Sequence, residues 1–113
     1  MKRAIFAVLS VCFASVAFAG GTVGPAHVVA IRINPDGTGM VQFDQIVSGS
    51  PNCAGTYAPY NSMLSFGNTS QGKEVLALAL TAKAMGSTIQ AIGLGSCINT
   101  SGSVEDWGTG WMN

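Results

Sequence analysis

The sequence predicts a small β-rich α+β domain with elements in the order β-β-β-α-β-β. Three observations carry this reading. Only about 94 residues (20–113) remain of the 113 once an N-terminal leader is set aside, enough for one domain and too few for two. Short apolar runs with two-residue alternation recur between Gly-, Pro- and Asn-rich turns. A single long run, "TSQGKEVLALALTAKAMGS", has helical character instead.

The leader comes first. "MKR" is a basic start, "AIFAVLSVCFASVAF" an apolar run, and Ala17-Phe18-Ala19 an A-x-A end before Gly20. Together they predict a bacterial secretory signal peptide over 1–19, cleaved after Ala19, and a periplasmic or secreted protein. The run is short for a membrane span, which needs about 20 apolar residues. A lipoprotein signal using Cys12 is the rival, but Val11 stands where such signals want a small residue.

The mature chain carries Arg32, Lys73 and Lys83 against Asp36, Asp44, Glu74, Glu105 and Asp106: three positive, five negative, net −2. With no basic patch or polybasic segment, neither nucleic acid nor an anionic membrane is an expected partner.

"AHVVAIRINPDGTGMVQFDQIV" reads as a hairpin. Val29, Ile31 and Ile33 share one face and Arg32 the other, "NPDGTG" supplies the turn, and Val41 and Phe43 continue the apolar face. "SGSPNCAGTYAPY" is loop chemistry, and "SMLSFGN" a short third strand. The helix spans 71–85, capped by Thr69 or Ser70 and ended by Gly86. It is apolar nearly all round. Leu76 and Leu80 are expected against the sheet, with Leu78 and Met85 left for a second copy or a partner. "STIQAIGLGSC" is the fourth strand and "SVEDWGTGWMN" the fifth, with Trp107, Thr109 and Trp111 on one face. Five strands with a helix between the third and fourth is the order of an OB-fold barrel, and a small α+β roll is the alternative.

Signal cleavage leaves Cys53 and Cys97 in an oxidising compartment, where an even pair in a small domain is expected to form a bridge. A nucleophilic Cys97 in a small cysteine hydrolase is the competing reading. It needs a base, and the only histidine is His27, with no third orienting group to name. Two cysteines and one histidine at these spacings make no zinc site, and no other metal or cofactor is implied. The chain is therefore expected to be non-enzymatic.

Four aromatics are candidate ligand contacts. Tyr57 and Tyr60 lie in the loop after Cys53, while Trp107 and Trp111 can stack on a sugar or fill the core. Glu105 and Asp106 are adjacent on a strand and so point to opposite faces, which argues against a shared-proton pair. They and Asp44 are expected at the solvated surface, as is His27.

The pattern "PNC…GKEVLALALTAKAMGSTIQAIGLGSC…VED", residues 51–106, resembles a family of small exported bacterial proteins, mostly uncharacterised. Its marks are a Pro-x-Cys, a helix opened by Gly-Lys and ending in A-x-x-x-G, a strand ending in G-x-G-x-C, and a late Glu. In order, size, export and bridge the chain is also similar to the OB-fold B subunits of bacterial A–B toxins, the subtilase cytotoxin type among them. Those form pentameric rings and bind glycans. That second likeness is architectural and assigns no residue a role. The expected function is an exported binding or interaction module for an unknown protein or glycan, with a homo-oligomer through the 71–85 helix as a further expectation.

Overall fold

A computed structural model describes residues 20–51 and 53–113. The predicted leader and Cys12 lie outside the described residues.

Strand β1 (Thr22–Ile33) is the spine. Its second half pairs antiparallel with β2 (Gly39–Phe43) and its first half antiparallel with β4 (Thr88–Gly93). Strand β3 (Met63–Phe66) extends the sheet beyond β2, and β5 (Trp107–Met112) extends it beyond β4. The result is one five-stranded antiparallel sheet in the order β3-β2-β1-β4-β5. One parallel bridge joins Ser65 of β3 to Asp106, just before β5. The two ends of the sheet meet at that point without a continuous ladder.

Asn34-Pro35-Asp36-Gly37-Thr38 turns β1 into β2 as its composition predicts. Asn34 N–H donates to the Thr38 carbonyl, and Asp36 accepts from both the N–H and the hydroxyl of Thr38. Those two bonds hold the exposed Asp36 carboxyl below its ordinary value.

Helix α1 (Ser70–Met85) begins where Thr69 Oγ1 accepts from Gly72 N–H, and ends at Gly86, whose φ of 70° is the left-handed conformation glycine adopts freely. The face it buries differs from the expected one. Gly72, Val75, Ala79 and Ala82 form the stripe against the sheet, flanked by the half-buried Leu76 and Leu78, while Leu80 and Met85 are exposed. The small residues lie innermost because they let the helix axis approach the strands closely. Gly72 also leaves room for the turn that leads into the helix, since a Cβ there would run into the Gly67 carbonyl. Among the described residues no helix is long and apolar enough to cross a membrane.

The core lies between α1 and the sheet, around Val41, Phe43, Leu64 and Ile89. Each such side chain contributes about 1.5–3 kcal/mol on leaving water. Two expected faces are altered by irregular pairing. The β1 ladders shift register between Val23 and Ala26 and again between Val28 and Ala30, so Val23, Ala26 and Val28 point inward. Ile31 is only half-buried, and Val29 and Ile33 are exposed. In β5 the register shifts at Gly108, so Trp107 turns into the core beside Phe43 (ring centroids 5.9 Å apart) while Thr109 and Trp111 face outward. Gly110 lies beneath the Trp107 ring, where a Cβ would crowd it.

Candidate functional site

The β4–β5 connection, residues 94–106, is built around two buried carboxylates. Glu105 is 2% exposed and Asp106 3% exposed, so the surface positions expected for them are corrected. A carboxylate out of water needs donors in place of its hydration shell, and both have them. Asp106 Oδ1 accepts from Asn99 N–H (2.8 Å) and lies 3.2 Å from the Ser65 hydroxyl. Its Oδ2 accepts from Ile98 N–H (2.9 Å) and the Ser96 hydroxyl (2.6 Å). Glu105 Oε2 accepts from Gly21 N–H (2.9 Å) and Gly95 N–H (3.0 Å), and Oε1 from the Ser50 hydroxyl (2.9 Å). The two side chains do leave the backbone in different directions, as adjacent extended residues must.

The glycines around Glu105 make room for it. At Gly21 and Gly93 a Cβ would collide with the carboxylate itself. The G-x-G that ends β4 is therefore a cradle for this side chain, with Gly95 supplying a donor.

Further links fix the loop. Cys53 and Cys97 form a disulfide with Cα atoms 6.0 Å apart. Leu94 N–H donates to the Asp106 carbonyl, Asp106 N–H to the Ser96 carbonyl, and Gly102 N–H to the Cys97 carbonyl. Val104 N–H donates to Thr100 Oγ1. With its sulfur in the disulfide, Cys97 offers no free thiol.

This fixed loop leaves two aliphatic side chains in water: Leu94 is 57% exposed and Ile98 79% exposed. Both edge a cleft of about 230 Å³ between the loop and the start of α1, floored by Phe66, Val75 and Trp107. Gln71, Asn99 and Asp106 supply its polar margin. The volume falls below the roughly 300–1,000 Å³ of pockets that enclose small ligands. It is the volume of one or two side chains.

Of the four candidate aromatics, Trp107 packs in the core and Trp111 is half-exposed on β5. Tyr57 and Tyr60 meet edge to face, centroids 5.2 Å apart, on a second cleft of about 270 Å³ lined also by Ser50, Asn61 and Ser103. Tyr57 is exposed and Tyr60 half-buried. The structure brings the two tyrosines together but joins neither tryptophan to them. His27 and Asp44 are exposed, as expected, but paired: His27 N–H donates to Asp44 Oδ1 (3.0 Å), and its Nδ1 lies 3.2 Å from Oδ2. The backbone N–H bond, then the ring, hold the Asp44 carboxyl below its ordinary value. Among the described residues no cluster of three or more His, Cys, Asp or Glu is arranged to hold a metal ion.

The sequence pointed to neither Leu94 nor Ile98 as a surface feature. The available signal was the pair of aliphatics set among Gly, Ser and Asn in "GLGSCINTSG". Compared with protein-family models, with curated proteins and with solved structures, the chain matches none.

Proposed function

We propose that the chain is an exported, non-enzymatic binding module that uses the 94–99 loop and the adjoining cleft to grip an apolar segment of a protein partner. One observation carries this. Two buried carboxylates and a disulfide hold rigid a loop that exposes Leu94 and Ile98. Exposed aliphatics gain nothing in water, and ordering them beforehand lowers the entropy cost of binding. The frame we assign is an OB-like barrel. The strand order, the helix between β3 and β4, and the bridge between Ser65 and Asp106 support that assignment. The disulfide fits an oxidising compartment, in line with cleavage after Ala19.

The test places a photo-crosslinking amino acid at position 94, 98 or 81 and irradiates the exported fraction. Thr81, exposed on the outer side of α1, is the control. A discrete adduct at 94 and 98 and none at 81 is expected. No adduct at 94 or 98, or one pattern at all three, contradicts the assignment.

Two further readings each have an observation behind them. The exposed Leu80 and Met85 on α1 favour a homo-oligomer, for which Leu80→Lys is the disrupting change and light scattering the measurement. The Tyr57–Tyr60 cleft favours a glycan of the kind toxin B subunits bind, and a glycan array probed with wild type and Tyr57→Ala tests it.

A further inference from the structure

Glu105 is a buried carboxylate held by neutral donors, with no cationic side chain bonded to it among the described residues. Gly20, at the chain's other end, lies close to it. A Cβ built on Gly20 would stand 3.5 Å from Glu105 Oε2 and would collide with the Gly93 carbonyl oxygen. A backbone nitrogen lies about 2.5 Å from the Cβ position of its own residue, so Gly20 N is within about 6 Å of Oε2 and within about 5 Å of the Gly93 carbonyl oxygen. The next nitrogen along, that of Gly21, is already bonded to Oε2 at 2.9 Å.

From this we infer that hydrolysis of the Ala19–Gly20 bond creates the cation that Glu105 lacks. The α-ammonium of Gly20 pairs with the Glu105 carboxylate and donates to the Gly93 carbonyl, so the domain reaches full stability only after its leader is removed. The inference rests on cleavage after Ala19. Before cleavage Gly20 N is a neutral amide with one hydrogen; afterwards it is an ammonium with three donors and a single tether. Both flexible links to it are glycine, and no side chain at residue 20 or 21 obstructs the approach. The nearest atoms around Gly20 and Gly21 belong to Gly93, Val47, Ser50 and Glu105, of which Glu105 alone titrates. Asp106, next in the chain, turns its carboxylate to residues 96–99 and Ser65.

The sign of the pH dependence follows. An ammonium paired with a carboxylate has a folded pKa above its unfolded value near 8. Its stabilisation is complete below that value and is lost as pH rises through the folded one.

The experiment has separable arms. N-terminal sequencing of the exported protein reads the cleavage itself, and a start other than Gly20 defeats that reading alone. Protein made to start at Gly20 is then titrated by the pH dependence of α-amine acylation, against the free peptide Gly-Gly-Thr-Val. Pairing raises the midpoint above the peptide's by one unit or more, whereas mere burial lowers it. Protein starting at Gly20 is also compared in thermal melts with its Nα-acetylated form. Acetylation should lower Tm by at least about 4 °C, the size of a 1 kcal/mol loss in a domain of this length. The difference should vanish in Glu105→Gln. An unshifted or lowered α-amine midpoint overturns the inference, as does an acetylation effect that is absent or survives unchanged in Glu105→Gln.

Discussion

Substituting Asp106 by Asn is the sharpest probe of the loop, because it changes no volume. Each carboxylate oxygen accepts from one backbone N–H: Oδ1 from Asn99 and Oδ2 from Ile98. An amide has one acceptor and one NH₂ group, so either orientation sets NH₂ against a backbone N–H. That N–H loses its partner, at about 1–3 kcal/mol, and the surviving bonds lose their charge assistance. We expect a total near 3 kcal/mol. Glu105→Gln is the matched comparison. Both backbone donors there converge on Oε2, so the Gln oxygen can occupy that position while its NH₂ faces the Ser50 hydroxyl, which can rotate to accept. Its cost is expected near 1 kcal/mol. Both variants are made with an N-terminal tag left in place, so that no α-ammonium lies at Gly20. Urea denaturation read as a midpoint shift at constant m measures the two. If Asp106→Asn costs no more than Glu105→Gln, the donor geometry assigned to the loop is wrong.

Three other outcomes follow from the same geometry. Gly93→Ala places a methyl group where the Glu105 carboxylate sits, and is expected to cost more than about 2 kcal/mol in the same denaturation assay; a near-neutral result would mean the carboxylate is not lodged there. Cys97→Ala opens a bridge spanning 44 residues and should cost about 2–5 kcal/mol, while intact-mass analysis of the wild type should show no free thiol. Asp44, bonded by the His27 N–H, should titrate below its ordinary value of 3.8 in a side-chain NMR titration. Its contribution to stability is present above that pH and is lost as pH falls through the lowered folded value.

What could be read in advance was local. Thr69 and Gly86 bracket α1 because a cap and a left-handed terminus are satisfied within a few residues. "NPDGTG" closes its hairpin for the same reason, and the Cys53–Cys97 bridge followed from counting cysteines in a domain expected to be exported. The errors arose where one inserted residue or one distant partner decides. The register shifts in β1 and at Gly108 change which residues face inward, so alternation counted along the chain set Val29 and Ile33 on the inward face and Trp107 on one face with Thr109 and Trp111. Strand β1 also begins at Thr22, ahead of a Gly24-Pro25 pair that reads as a break. Burial of Glu105 was illegible because two of its three donors, Gly21 and Ser50, lie far away in sequence, and that of Asp106 because residues 96–99 must fold back onto it and Ser65 must reach it from β3. Gly21 is 84 residues from Glu105, and Ser65 is 41 from Asp106. On α1 the broad apolar surface concealed that the smallest residues, rather than Leu80, would define the contact stripe.

Residues 94–99 expose two aliphatic side chains on a fixed backbone, and amide hydrogen exchange resolved to single residues measures that fixity directly. Gly95, Ile98 and Asn99 donate to Glu105 and Asp106. Their amides should exchange as slowly as those of β1 and β4, through unfolding of the whole domain, and should lose protection in Asp106→Asn before the strands do. Exchange at those three amides as fast as at the exposed Asp36, with β1 and β4 still protected, would contradict the claim that the buried carboxylates hold this loop.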